Sequence, residues 1–346
     1  MRVEQIAEPG AEWDAFVEAT PGATLGHAAA WAAVMADAYG LVSRYLAVRD
    51  ASGAIQGVLP LVVFRTLRGG RELVSLPFLD AAGILARSQE AADALLAEAL
   101  AQARACRAGA LELRHAMAVD GVPAPAEVHR VDLVLPLEAS EEAQWKALRA
   151  KVRNQTRKAE REGLAIAQGT PEALLEDFYG PFRINMRDLG SPVHPARLYA
   201  SAARHFGERL RFVIAHLGSR SVGGLVAFDF AGVVSVPWAS TLREERHRCP
   251  NNLIYWEALR WAIARGAREF DFGRSPRDGG TWRFKRGWGA EERPLAWTRL
   301  DPQGRPLPLG SADGSVLLSR LSDVWRRLPV PLASALGPFV RGRLAN

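Results

Sequence analysis

The sequence predicts a mixed α/β (α+β) protein built of two like units, each a twisted mixed sheet flanked by helices. Three observations carry the prediction. Short apolar runs come in pairs joined by a polar turn, each pair is followed by a helix of about three to four turns, and the whole order occurs twice.

In the first half, Tyr45-Leu46-Ala47-Val48, a turn at Ser52-Gly53 and Gly57-Val58-Leu59-Pro60-Leu61 read as adjacent strands. An alanine-rich helix and the strand Gly109-Ala110-Leu111-Glu112-Leu113-Arg114 follow. In the second half, Arg211-Phe212-Val213-Ile214, a turn at Gly218-Ser219 and Gly223-Gly224-Leu225-Val226 precede a helix through Asn252 and the strand Gly266-Ala267-Arg268-Glu269-Phe270-Asp271. The boundary is expected near Leu137-Glu138-Ala139-Ser140. Ser140 with Glu141 and Glu142 behind it is a helix start, where acids meet the positive end of the helix. This assigns 1–138 to a first domain, 139–300 to a second and 301–346 to a tail.

A chain of 346 residues, 48% of them hydrophobic, can fill two cores. Of its 44 basic residues only Lys146, Lys151, Lys158 and Lys285 are lysine, and the net charge is +6. Arginine forks suit phosphate and carboxylate. The charge admits tRNA, a nucleotide-linked glycan or an acidic lipid surface, and arginine codon bias accounts for it equally well. The two cysteines, Cys106 and Cys249, lack metal-ligand spacing. They read as free thiols in a reducing compartment, with no zinc site. No stretch has signal-peptide or membrane-spanning character, which predicts a cytoplasmic protein.

The block most informative about chemistry lies late in the chain. Leu253, Trp256, Leu259, Ala262 and Ile263 recur at helical spacing, between Pro250-Asn251 at the helix start and Gly266 at its end. A strand follows, with Phe270 and Phe272 on one face and Asp271 on the other. Gly273 then turns the backbone at the carboxyl end of that strand, where open α/β sheets hold ligands, ahead of a basic tip. Acyl transfer to an amine passes through a tetrahedral oxyanion, which a fixed cation stabilises. Lys285, beside Phe284 and Trp288, is the candidate for that role, desolvated and open to cation–π support. Asp271 and Arg274 would orient substrate or support Lys285, or else pair with each other.

Two further segments carry candidates. On a helix expected over about Glu141–Glu162, Arg153, Arg157 and Arg161 share a face at i, i+4 spacing, with Asn154 and Lys158 nearby. Such a stripe reads phosphate, or is a solvated basic face. After a helix containing Phe178, Tyr179 and Phe182, the break Gly190-Ser191-Pro192 exposes a loop. Asp188 or His194 there could act as general base, and the plainer alternative is a helix end with an Arg187/Asp188 surface pair.

Six segments in order resemble one family: GVLPL with LVSLPF, RNQTRKAEREGL, NMRDLGSPV, VPWASTLR, PNNLIYWEALRWAIARGAREFDFGRS and GTWRFKRGWGA. They look like FemAB proteins, and more narrowly the exosortase/PEP-CTERM and exopolysaccharide-associated branch with a BioF2-like acetyltransferase domain. The likeness runs from about Trp13 to Trp297. It implies tandem GNAT-like domains and an acyltransferase with no tightly bound cofactor and no metal. The acceptor it implies is an amino-bearing glycan or envelope precursor. It also implies Lys285 and Phe284 beside the transferred group with Asp271 and Asp188 in catalysis. Arg153, Asn154, Arg157, Lys158, Arg187, Trp238, Asn251, Asn252, Tyr255 and Arg274 would hold substrate.

The donor is either aminoacyl-tRNA or acyl-CoA. CoA-binding GNAT loops place glycines at the opening of a helix to cradle pyrophosphate. Arg243 to Asn252 has no glycine, and Pro250 removes an amide. Asp80 to Glu90 also lacks the pattern. In the tail, Leu317, Leu318, Leu321, Val324, Trp325 and Leu328 form an apolar stripe beside Arg320, Arg326 and Arg327. The stripe either packs on its own domain or brings 311–346 to a membrane surface. The readings left open are aminoacyl transfer, CoA-dependent N-acylation of a sugar or small amine, and a non-catalytic adaptor.

Overall fold

A computed structural model describes residues 1–67, 69–123, 130–309 and 316–344. The chain divides into two compact units, both discontinuous in sequence. The first comprises residues 1–130, 294–315 and 339–346, and the second 131–293 and 316–338.

In the first unit, β1 (Arg2–Ile6), α1 (Ala11–Glu18), α2 (Trp31–Tyr39) and β2 (Val42–Ser43) lead into β3 (Tyr45–Arg49) and β4 (Ile55–Leu59). These last two are the expected antiparallel pair, Leu46 opposite Leu59. After them come β5 (Val62–Arg65), β6 (Arg71–Val74), β7 (Leu85–Ala86), α3 (Gln89–Ala105) and β8 (Ala110–His115). Ser88 caps α3 by accepting the Ala91 amide at 3.2 Å. The strands form two sheets, β1-β3-β4-β7 and a five-stranded one that includes β8-β6-β5-β2. The fifth strand of that second sheet is Ala296–Leu300, antiparallel to β8 with Ala296 opposite His115. Leu46, Leu59, Leu95, Leu111 and Leu113 are fully buried where α3 covers the sheets.

Among the described residues, two histidines, His27 and His115, are buried in this unit. Burial pushes both down to about 4, His115 further disfavoured by His27 beside it. Each is held neutral in the fold and protonated on unfolding below about 6.5, so the unfolded state binds the extra protons. Stability is fully present above pH 6.5 and falls as the pH is lowered toward 4, by up to about 1.4 kcal/mol per pH unit for each histidine. Chemical denaturation at pH 7 and pH 5 should show this loss, and His27→Gln should reduce it to the part owed to His115.

The second unit opens with β9 (Arg130–Pro136), α4 (Glu141–Ala147) and α5 (Ala150–Arg161). Ser140 starts α4 as expected, accepting the Ala143 amide at 3.2 Å. The single helix expected over Glu141–Glu162 is two. Leu148 and Arg149 are extended, at ψ 143° and 144°, and Leu148 is buried. The Arg153 guanidinium donates to the Lys146 carbonyl at 3.0 Å and also to Trp145 and Leu148, closing the end of α4.

Then follow β10 (Leu164–Gly169), α6 (Pro171–Asp188), α7 (Ala196–Phe206), β11 (Leu210–Leu217), β12 (Arg220–Phe230), β13 (Val233–Thr241), α8 (Pro250–Ala264), β14 (Glu269–Pro276), α9 (Gly280–Gly287) and β15 (Glu291–Pro294). One seven-stranded sheet results, in the order β10-β11-β12-β13-β14-β9-β15. Gly223 is required in β12, because a Cβ there would lie 2.6 Å from the Ser240 carbonyl oxygen. Phe178, Phe182, Tyr199 and Phe212 pack together on one side of the sheet. The chain ends in α10 (Val316–Arg327) and α11 (Val330–Arg341). No helix among the described residues is long and apolar enough to cross a membrane.

Candidate active site

The site is built from the inside of α8 outward. The sequence stripe understates this helix. Leu253, Trp256, Leu259 and Ala262 are buried as expected, and so are Ile254, Tyr255, Ala258 and Trp261 on the other sides. Pro250 occupies the first turn, and past Ala264 the chain closes with Gly266 at φ +72° and the Ala267 amide on Ala262. A helix buried almost all round fixes the strand after it.

That strand, β14, runs parallel to β13, and the two are paired over Val233–Ser235 and Glu269–Asp271. Asp271 is the last paired residue, so the carboxyl-terminal halves of both strands continue beyond their mutual ladder. Phe270 and Phe272 share a buried face, ring centroids 4.8 Å apart, as alternation requires. Gly273 lies inside β14 and not at its end as the sequence suggested; it kinks the strand at φ +74°, its amide donating to Asp271 Oδ1 at 2.6 Å. Asp271 thereby braces the kink.

The basic tip after β14 is a helix, α9, and its Lys285 reaches back to the strand. Lys285 is 8% exposed, and its Nζ donates to the carbonyls of Gly273 at 2.7 Å and Arg274 at 3.0 Å. Around this strand end lie Phe272, Phe284, Trp288 and Tyr255. Tyr255 sits 5.2 Å from Phe272 and 5.4 Å from Phe284. Burial, with the Asp271 carboxylate second, drives the Tyr255 hydroxyl well above the ordinary phenol range, so it remains protonated. The structure thus gathers Lys285, Phe284, Asp271, Arg274 and Tyr255 at one end of one strand. The ammonium is nearly buried and bonded to two backbone carbonyls, in a place where a charge acts through a low dielectric.

The other candidates fall into two further groups. On α5, Arg153 is committed to the α4 carbonyls, and Lys158 donates to the His247 carbonyl at 2.7 Å. Asn154 and Arg157 are exposed, Arg157 lying 5.4 Å over the Trp145 ring. Arg157 also borders a groove of about 500 Å³ with Trp145, Trp256, Glu141, Glu142 and Glu160. Glu141 and Glu142 are already paired, to Arg260 at 2.7 Å and to Lys146 at 2.6 Å, so the groove carries no clear excess of either charge. Sequence reasoning missed it, because Trp145 and Trp256 meet only in the fold, 4.7 Å apart.

At the end of α6, Asp188 is ion-paired to Arg187 at 2.7 Å, the plainer of the two expectations, and Arg187 also donates to the Leu328 carbonyl. His194 is buried at 5.8 Å from Trp238, which stacks edge-on to Tyr199. Asn252 is buried, 3.4 Å from Gln155 on α5, and Asn251 is half-buried beside it.

In the turn before α8 three backbone amides are already occupied. The amides of Glu245, Cys249 and Asn252 already serve Leu242, Arg246 and Cys249. The Glu245 carboxylate is buried between Arg220 and Arg248, and Arg248 continues to Glu162 at 2.6 Å.

Residues 146–286, which include α5, α8, β14 and most of α9, match the acetyltransferase (GNAT) domain family. The second unit carries a GNAT-type acetyltransferase domain. On that footing the protein is an acyltransferase. The crystal structure of FemX is similar in fold, with a TM-score of 0.69 at 16% identity, covering 86% of this chain and 96% of that one. A conserved protein of unknown function from Bacteroides thetaiotaomicron matches at TM-score 0.53 and 9% identity, over 76% of this chain and 86% of that one. The C-terminal domain of a protein named for lysylphosphatidylglycerol synthetase, from Agrobacterium fabrum, matches at 0.50 and 8% identity, over 78% and 86%. No curated protein matches the chain by sequence. The expected fold, tandem GNAT-like units with mixed sheets, is the one observed, and the GNAT resemblance holds.

Proposed function

We propose that the protein forms an amide by transferring an aminoacyl or other acyl group from an activated donor to an amino group of a cell-envelope or exopolysaccharide precursor. The buried Lys285 ammonium at the parting ends of β13 and β14 carries this reading. The amine attacks the acyl carbonyl, and the new C–N bond forms as charge moves to oxygen. On collapse the C–O bond to a tRNA ribose, or the C–S bond to CoA, breaks. The amine loses a proton and the leaving atom gains one. Lys285 stabilises the oxyanion, Asp271 holds the strand end in shape, and Phe284, Tyr255 and Trp288 keep water out.

Aminoacyl-tRNA is the donor we favour. Arg243 to Asn252 has no glycine, Pro250 offers no amide, and the amides of Glu245, Cys249 and Asn252 are taken internally, which supports a donor other than CoA. The match to an acetyltransferase domain supports acyl-CoA as the second reading. Equilibrium binding at fixed salt to charged tRNA, uncharged tRNA and acyl-CoA separates them. Binding that depends on the aminoacyl group supports the first, and saturable acyl-CoA binding without tRNA preference replaces it with the second. The exosortase link rests on the sequence resemblance.

The reaction would take place on the cytoplasmic side, with α10 and α11 against the membrane. Leu321 and Val324 on α10 and Leu332 and Leu336 on α11 are exposed at 44–58%, with Arg326 and Arg327 beside them. The side chains of Leu317, Leu318 and Arg320 lie outside the described residues, as do 311–315. Sedimentation with phosphatidylglycerol vesicles is the expected result, weakened about tenfold or more in Leu332→Glu/Leu336→Glu. Deleting the tail would be a poorer test, because residues 339–346 belong to the first unit.

A further inference from the structure

The first unit holds a cavity of about 320 Å³ that plays no part in the chemistry above. Its lining includes His27, His115, Leu85, Arg87, Ser88 and Met117. The buried end consists of two imidazoles, each 3% exposed, with Gly83 between them. A Cβ on Gly83 would strike the His115 ring at 2.1 Å, so the chain lies flat against it.

The hydrogen bonds fix both tautomers. His27 Nδ1 accepts the Thr24 amide at 3.1 Å, which leaves Nε2–H to donate to the Gly83 carbonyl at 2.9 Å, and both nitrogens are satisfied. His115 bonds the Ala296 carbonyl through its backbone-facing nitrogen, while Nε2 is buried with no partner. A neutral imidazole that donates through Nδ1 is an acceptor at Nε2. The group that completes this end must therefore donate, as a hydroxyl does.

The open end has the opposite character. Arg87, Ser88 and Gln89 are exposed, the Arg87 guanidinium braced 4.9 Å over the Phe16 ring, and α3 begins here with its positive end. Met117, 67% exposed, and Leu85 give apolar sides. An acceptor at the floor, apolar walls and a cation at the mouth describe one kind of occupant. We propose that this cavity binds a small hydroxylated anion, a carboxylate or phosphate whose hydroxyl donates to His115 Nε2 while its charge lies by Arg87.

The test is histidine imidazole NMR on the full chain, titrated with glycerate and with glycerol 3-phosphate. Propanoate and propyl phosphate serve as the matched anions without hydroxyls. The expected result is a saturable shift of His115 Nε2 by at least one hydroxylated anion, binding about tenfold or more tighter than its deoxy partner. Which of the two binds distinguishes a carboxylate from a phosphate site. His115→Phe should erase the preference for the hydroxyl, and Arg87→Ala, at an exposed position, should weaken the anion about tenfold while leaving the fold intact. An unmoved His115 with both hydroxylated anions, or equal binding by the deoxy pair, overturns the proposal and leaves a water pocket.

Discussion

Lys285→Met should lower the rate of amide formation by about two to three orders of magnitude, the usual cost of removing one fixed group that stabilises an oxyanion. Methionine nearly matches the length of the aliphatic stem and fills the same aromatic surround. What it removes is the charge and the two bonds to the Gly273 and Arg274 carbonyls. Leaving those carbonyls unmet costs about 1–3 kcal/mol each at most, so some loss of stability is expected as well. The two consequences separate in the kinetics. A group acting on the transition state lowers kcat and kcat/KM together, whereas a group that only braces the strand end should raise KM and be largely rescued at lower temperature. A Lys285→Met protein that folds, binds donor and retains its turnover would sink the proposed role.

Phe272→Ala should be strongly destabilising, costing about 3–5 kcal/mol. Phe272 is 1% exposed and touches Phe270, Tyr255 and Trp288, so the void it leaves has three rigid aromatic walls that cannot close over it. Denaturant unfolding should show a lower midpoint with an unchanged slope. Because Phe272 is adjacent to Gly273, the kink gripped by Lys285 would loosen with it. Activity should therefore fall by more than the unfolded fraction explains. A loss below about 1 kcal/mol would mean that the aromatic group is loosely packed, and the argument for a dry site would fail with it.

How much of this could be read beforehand depended on the range of the interaction. The strand pair at Tyr45–Leu61, the helix after Pro250 and the alternation of Phe270 and Phe272 rest on signals within a few residues, and each stands in the structure, whereas the strand expected to end at Gly273 runs on to Pro276. The break at Leu148–Arg149 did not show. Charged residues continue the helical pattern across it, and the reason for the break, a buried Leu148 with Arg153 closing the turn, is tertiary. Lys285 stood out through its rarity and its aromatic neighbour. Its bonds to the end of β14 could not be foreseen without knowing that residues 280–287 form a helix. Arg153 and Lys158 had the right charge, but the carbonyls that occupy them lie outside the helix that carries them.

The returning strand Ala296–Leu300 has a consequence for biosynthesis. Made before its partner, β8 has one edge that stays open until Ala296–Leu300 has been synthesised, at about 5–20 residues per second. During those seconds a row of backbone donors and acceptors, with Leu111 and Leu113 in the same strand, invites pairing with another nascent chain. The first unit therefore closes its second sheet only after residues 131–293 of the second unit have been made, and any shortening of the chain that removes 294–300 leaves that edge open.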